Sequence, residues 1–286
     1  MAQFVTAQEA VKHIPNGSRV VLAHSTGEPK TLVQAMVDNY EQYKDVEVCH
    51  MLGLGPYAYT NPEMKGHLWH NSLFIGPGGR KAFTENRLDF TPGYFCDSIK
   101  FFREGYLPVD VVMMTVSPPD KHGYVTCGIT CDFTMPALQC AKMVIVQVNK
   151  NMPRTFGQTA IHLDDIDFAV EADDALYGSV PGELSDIDRR IGEHCASLIQ
   201  DGACLQLGIG GIPNAVLTYL TEKNDMGVHS EMLSDGILHL IKSGNINNRR
   251  KQIHVGKSAV TFLNGSQELY DYVDDNPSVE FYPVDY

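Results

Sequence analysis

The sequence predicts an α/β protein built as two related open α/β domains with mainly parallel sheets. Three observations lead there. Short apolar, β-branched runs alternate with segments whose apolar residues recur at helical spacing, the pattern of parallel strands joined by crossover helices. The order helix, turn, strand, small-residue loop, proline, helix occurs twice, about 185 residues apart. Finally, 286 residues, 43% of them apolar and 20% charged, supply buried cores for about two domains.

Thr6-Ala7-Gln8-Glu9 is a Thr-x-x-Glu capping box, whose two side chains satisfy each other's free amides at a helix start, so a short first helix is expected. Asn16-Gly17 turns the chain into residues 19–23, a run that reads as a strand buried on both faces. The small-residue loop His24 to Glu28 follows. Pro29 then suits the first turn of a helix whose Leu32, Val33, Ala35, Met36 and Tyr40 form an apolar stripe. Further strands are predicted at 46–51, 68–75, 109–116 and 143–148, with helices near 97–104 and 134–141.

Between Asn149 and Gly182 the periodicity weakens, and Pro153, Gly157, Gly178, Pro181 and Gly182 punctuate a polar, acidic stretch. The domain boundary is expected here, with a first domain at 1–182 and a second at 183–286. Ser185 to Asp188 starts a helix running to about Ile199, and the earlier order then returns. Asp201-Gly202 stands for Asn16-Gly17, a strand at 203–207 for the one at 19–23, and Pro213 for Pro29. A last strand is predicted at 279–284.

Composition excludes several function classes. With 22 basic against 35 acidic residues the net charge is −13, and no basic run exceeds Arg249-Arg250-Lys251, which argues against a nucleic-acid partner. The opening residues lack the basic and apolar regions of a secretory signal, and no apolar stretch is long enough to span a bilayer, so a cytoplasmic protein without a membrane partner is expected. Seven scattered cysteines without a Cys-x-x-Cys pair fit reduced thiols. Cys127 with Cys131, and His67 with His70, raise the question of a metal. No further ligand completes either pattern, so no metal is expected and all four read as structural side chains.

Ligands of α/β domains gather beyond the carboxyl ends of strands, which singles out the loops 24–28, 208–213 and 229–235 and the expectation that they face one cleft. Gly208-Ile209-Gly210-Gly211-Ile212-Pro213 joins a strand to a helix start, where free amides and the helix dipole favour an anion; such loops also serve tight packing. A dinucleotide fingerprint would need a third glycine, and Pro213 stands in its place, although an acidic residue follows about 20 positions on at Glu231. Glu231 lies between a predicted strand and a helix, and by spacing alone it is either a cleft carboxylate or a helix N-terminal one.

Several stretches together resemble the acetyl-CoA hydrolase/transferase family, and within it the butyryl-CoA:acetate and 4-hydroxybutyrate CoA-transferases. They are Ala23 to Pro29, Ser117 to Asp120 with Gly123, Asn149 with Met152 to Gly157, Gln206 to Asn214, His229 to Met232, Gly256-Lys257, and Leu269 to Pro277. The likeness covers the whole chain. It implies a CoA-transferase in which Glu231 is the nucleophile, attacking an acyl-CoA thioester and passing through a glutamyl-CoA thioester in ping-pong fashion. It also implies that Gly208, Ile209, Gly210, Gly211, Ile212 and Pro213 contact CoA. His24 and Gln206, polar among apolar neighbours, are expected to border the acyl or carboxylate pocket. Arg249, Arg250, Lys251 and Lys257 are candidates to offset the charge of CoA. No permanently bound cofactor is expected; coenzyme A enters as substrate, partnered by an acyl group and a short-chain carboxylate.

Members of the family are longer, and after the segment matched by Asp275-Asn276-Pro277 they complete the second domain with another Gly-rich loop. This chain stops at Tyr286, so the expectation is an incomplete second domain. Either a homo-oligomer or a complementing chain would then be its partner. Alternative readings are an acyl-CoA hydrolase on the same scaffold, an NAD-dependent oxidoreductase, or a non-catalytic fragment of a split transferase.

Overall fold

The structure, a computed structural model, describes residues 1–178 and 182–286. Pro181, part of the expected boundary punctuation, lies outside the described residues. The chain forms two compact units. The first comprises Met1–Arg154, Thr159–Tyr177 and Pro283–Tyr286, and the second Thr155–Gln158 and Gly178–Tyr282.

The first unit is built on an eight-stranded sheet, counted among the described residues, in which every pairing is parallel. Across the sheet the strands run Gln3–Phe4, Phe168–Ala172, Met143–Asn149, Val111–Val116, Arg19–Leu22, Val46–His50, Leu68–Ser72 and Leu88–Phe90. The Val111–Val116 strand is buried at all six positions, which is why its sequence does not alternate. Helix Lys30–Asp38 buries Leu32, Val33, Ala35 and Met36 against this sheet, in one core with Val20, Leu22, Val48, Met113 and Ile145. Truncating any one of the large members to alanine would cost about 2–5 kcal/mol.

From Arg19–Leu22 the chain winds outward to Leu88–Phe90, then restarts on the other side with Val111–Val116. The order therefore reverses at the Arg19–Leu22 strand. Loops leaving the carboxyl ends of strands on either side of such a reversal diverge and open a crevice, and residues 23–28 leave from that point.

The second unit repeats the theme in smaller pieces. Cys204–Leu205 pairs with Gly227–Val228, a bridge joins His229 to Ala259, and Ser258–Val260 pairs with Val279–Phe281, which in turn pairs with Phe156–Gly157. Met232–Leu233 pairs with Phe262–Leu263, and all of these pairings are parallel. Helices Asp186–Leu198, Gly211–Thr218, Asp235–Lys242 and Gln267–Val273 connect them. Gly157 has φ +103°, and a Cβ there would fall 2.3 Å from the Phe281 carbonyl oxygen, so only glycine permits this edge strand to close on its neighbour.

The expected capping box of Thr6 with Glu9 forms, and the helix start expected at Ser185 to Asp188 proves to be a second one, joining Ser185 with Asp188. Several boundaries differ from the sequence reading. The strand expected at 203–207 is only Cys204–Leu205, and the one expected at 279–284 stops at Phe281, two residues before Pro283, which has no N–H to extend a ladder. The strand at 68–75 ends at Ser72, leaving Phe74 half exposed. Phe168–Ala172 and Gln3–Phe4, members of the main sheet, were not expected as strands.

Candidate functional site

In the second unit, the strand Cys204–Leu205 gives way to Gln206 and Leu207 and then to the glycine loop. Gly210 stands at φ +137° and ψ 178°, a conformation that only glycine adopts without strain, and it caps helix Gly211–Thr218 with no side-chain hydrogen bond from the capping residue, while the Asp188 carboxylate packs against Gly211. Gly211, Ile212 and Pro213 are thus the first turn of the helix, the place the match of Pro213 with Pro29 gives them, and only Gly208 to Gly210 lie ahead of it. The loop is exposed, with Ile209 at 57%.

A pocket of about 380 Å³ opens beside it. Its lining comes from Gly208 to Gly211 and Asn214, from Met232, Ser234 and Asp235, and from Asn264, Gly182 and Glu183. The Asp235 carboxylate is engaged by the backbone N–H and hydroxyl of Ser266, which fixes it to the start of helix Gln267–Val273.

Glu231 is half-buried at the bend that follows strand Gly227–Val228 and bridge residue His229. Its backbone carbonyl accepts from Thr261 N–H at 2.9 Å, Phe262 N–H at 3.2 Å and the Thr261 hydroxyl at 2.9 Å. Ser230, just before it, donates its N–H to Ala259 and exchanges two hydrogen bonds with Leu207: its hydroxyl accepts from Leu207 N–H and donates to Leu207 C=O, both at 3.0 Å. One strand earlier, Val228 N–H donates to Asn248 Oδ1 at 2.8 Å and Val228 C=O accepts from Lys251 Nζ at 2.7 Å. The backbone that carries Glu231 is held from three sides.

This geometry changes the account of the basic residues. Lys251 is buried and donates to the carbonyls of Val228 and Lys257, and burial pulls its pKa down, so its ammonium is held by the interior of the unit. Lys257 pairs with Glu280, which also accepts from His254 and Tyr282 at 2.8 Å each. Burial would raise the Glu280 pKa, but the hydrogen bonds from Lys257, Tyr282 and His254 outweigh it and hold the carboxyl below its usual value. Arg250 lies over Gly202 and donates to the Asp201 carbonyl, while Arg249 is exposed. Gln206 is exposed as well, so the cost of burial argued for it from its apolar neighbours does not arise.

In the first unit, the switch-point loop is densely tied down. His24 is buried, its Nδ1 lies 2.9 Å from Asp132 Oδ2, and its ring meets Phe95 edge-on at 5.4 Å. Asp132 Oδ1 accepts from the N–H and hydroxyl of Thr134 at 3.1 and 3.0 Å. Ser25 adopts φ +52°, unusual for a residue with a side chain, and Gly27 has no room for one, since a Cβ would sit 2.1 Å from Thr130 Oγ1. Glu28 is buried and accepts from Leu54 and Gly55 N–H at 3.1 Å each; burial raises its pKa despite those bonds. Beside it His50 stacks on His70 at 4.4 Å and meets the Tyr59 hydroxyl at 2.5 Å; burial drives both imidazoles toward the neutral form.

Asp132, Glu28 and the His50–His70 pair escaped the sequence reading. Asp132 and Glu28 are bound to partners far along the chain, and only the Asp-x-Thr spacing of Asp132 and Thr134 carries a local signal. Cys127 and Cys131 are buried thiols; burial, then the contact with Cys127, raises the Cys131 pKa. His67 and His70 each give Nδ1 to a backbone carbonyl, of Tyr43 and Val48. Among the described residues no group of three or more His, Cys, Asp or Glu could hold a metal ion, and no helix is long and apolar enough to cross a membrane.

Comparison with known proteins places these features in context. A sequence model of the acetyl-CoA hydrolase/transferase N-terminal domain matches residues 1–181. The chain is 51% identical over 284 residues to the 4-hydroxybutyrate coenzyme A transferase of Clostridium kluyveri, covering 99% of this chain and 66% of that protein. It is 32% identical over 288 residues to the butyryl-CoA:acetate CoA-transferase of Anaerostipes caccae, covering 98% of this chain and 65% of that one. The crystal structure of a 4-hydroxybutyrate CoA-transferase from Porphyromonas gingivalis superimposes with a TM-score of 0.87 at 38% identity, over 99% of this chain and 68% of that one. The chain thus spans somewhat under two thirds of the length of these curated relatives.

Proposed function

Because the chain belongs to the acetyl-CoA hydrolase/transferase family, we propose that it carries the nucleophile of a CoA-transferase acting on a short-chain acyl-CoA and a carboxylate such as acetate. Butyryl, 4-hydroxybutyryl and acetyl groups are the acyl candidates, by analogy with the names of its relatives. In this reading the Glu231 carboxylate attacks the thioester carbonyl, giving an acyl-glutamyl anhydride and CoA thiolate. The thiolate then attacks the glutamyl carbonyl, releases the first carboxylate and leaves a glutamyl-CoA thioester, and an incoming carboxylate runs the sequence in reverse. Thioester energy is kept in a covalent bond throughout, so water has to be kept from the intermediate.

The observation that supports this reading best is the anchoring of Glu231. Its backbone is pinned by Thr261 and Phe262, and its neighbour Ser230 is bonded to the residue that opens the glycine loop. Gly208 to Gly211 and Ile212 are the proposed CoA contacts, with amides at the helix start available to a thioester oxyanion; Pro213 fixes the first turn and offers no amide. Pre-placed amides of this kind contribute on the order of 3–4 kcal/mol to a transition state. His24 and Gln206 are proposed to border the acyl or carboxylate pocket. Coenzyme A is a substrate here, with no resident cofactor, and a homo-oligomer or a complementing chain is the proposed assembly. The seven free cysteines suit a reducing, cytoplasmic setting.

Incubating the protein with butyryl-CoA or acetyl-CoA should leave CoA covalently on the peptide that holds Glu231, and borohydride should reduce that thioester. Glu231→Gln should abolish both adduct and transfer. Absence of the adduct together with transfer by the Gln variant would overturn the proposal. Free CoA release with and without acetate separates transfer from hydrolysis.

A further inference from the structure

The backbone ladder between strands Cys204–Leu205 and Gly227–Val228 makes its last bond at His229 N–H to Leu205 C=O, 3.1 Å. One residue beyond His229 and two beyond Leu205, Ser230 and Leu207 are still paired, but through a side chain. The Ser230 hydroxyl accepts from Leu207 N–H and donates to Leu207 C=O, 3.0 Å each. A hydroxyl carries one donor and two acceptor sites, so this group alone replaces a full backbone rung. Ser230 is 5% exposed, which leaves little room for water to take over both bonds if the hydroxyl is removed.

The placement of this rung matters more than its energy. Leu207 is the residue before Gly208, and Ser230 is the residue before Glu231. Both loops of the candidate site therefore depart from one pair of hydrogen bonds. On the far side Ser230 N–H is fixed to Ala259 and Glu231 C=O to Thr261 and Phe262, so the glutamate has a rigid base, and the Ser230 hydroxyl ties the start of the glycine loop to it. We propose that Ser230 is a positioning residue, whose hydroxyl sets the distance between the Glu231 carboxylate and the amides of the Gly208–Gly211 loop. The proposal rests on the reading of Glu231 as nucleophile and adds to it a residue that touches neither substrate nor reacting atoms.

A displacement of about 1 Å between nucleophile and oxyanion donors costs up to about 100-fold in rate, so Ser230→Ala should lower kcat about 10- to 100-fold while KM for acyl-CoA changes little. Ser230→Thr, which keeps the hydroxyl, should recover most of that loss. Amide hydrogen exchange supplies a readout that needs no turnover: in Ser230→Ala, the amides of 207–211 should exchange faster than in the parent protein, while those of 259–263 are unchanged. Equal exchange at 207–211 in the two proteins would overturn the proposal, as would an effect confined to KM, or a folded Ser230→Thr as slow as Ser230→Ala. Covalent labelling keeps the two ideas apart. An adduct that persists in Glu231→Gln sinks the nucleophile reading; an adduct lost in Glu231→Gln but formed at the parent rate in Ser230→Ala sinks the role of Ser230 alone.

Discussion

His24 Nδ1 lies 2.9 Å from Asp132 Oδ2, joining the loop at the strand-order reversal to the start of helix Thr134–Cys140 across 108 residues of chain. Asp132 simultaneously receives the N–H and hydroxyl of Thr134 and is wholly buried. Asp132→Ala would strip three donors of their acceptor in a dry interior, each worth about 1–3 kcal/mol if left unpaired. A loss of at least about 2 kcal/mol in urea unfolding is therefore expected. A variant as stable as the parent would show that the pairing carries no load.

Glu28 should make stability depend on pH in an unusual direction. Burial raises its folded-state pKa above the unfolded value, so the folded state binds the proton more tightly. Its contribution is fully present below the unfolded pKa and fades as pH rises through the folded one. Glu28→Gln should accordingly raise the melting temperature relative to the parent more at pH 7 than at pH 4. Paired melting curves at the two values test this, and an equal difference at both would refute it.

His70 acts with the opposite sign. Burial pushes its pKa from 6.5 down to about 4, so the unfolded chain takes up a proton in that window before the folded one does. Stability is then lost as pH falls from about 6.5 toward 4, by roughly 3 kcal/mol for the whole shift. His70→Phe, which keeps a ring against His50, should flatten the stability profile between those values in denaturant titrations. An unchanged slope would count against the assignment.

Gly210→Ala isolates backbone conformation from space. A Cβ there would meet nothing closer than Pro213 Cδ at 3.8 Å, yet φ +137° is closed to alanine without strain. The variant is expected to fold, with a stability loss of about 1–3 kcal/mol, and to bind CoA at least about tenfold more weakly because the loop re-forms elsewhere. Calorimetric titration with CoA checks this; parent-like affinity would separate the loop from CoA binding.

Much of the main sheet was legible because strands buried on both faces leave mainly apolar runs rich in valine and isoleucine without alternation, as at Val111–Val116 and Met143–Asn149. The Thr6–Glu9 capping box and the helix start at Ser185 to Asp188 were legible because each acts within a single helical turn. Gln3–Phe4 was too short to carry a period, and Phe168–Ala172 was hidden in a stretch punctuated by glycine and proline. In the candidate site, the glycine loop and Glu231 were singled out by their place beyond strand ends and given roles by the resemblance, while the residues that hold them carried no signal. Whether Lys251 faces solvent or the Val228 carbonyl is decided by how residues 245–258 fold back over strand Gly227–Val228, and nothing in the run Arg249-Arg250-Lys251 encodes that.

The strand Phe156–Gly157 has an implication for how this chain is made. Its partner is Val279–Phe281, so a short stretch synthesised early must wait for one that emerges more than a hundred residues later. At about 5–20 residues per second the delay is roughly 6–25 s, long on the scale of hairpin and helix formation. By then every strand of the eight-stranded sheet has left the ribosome. The nascent protein therefore carries all strands of that sheet together with an unclaimed edge strand, and chaperone occupancy should peak while residues 173–278 are being added.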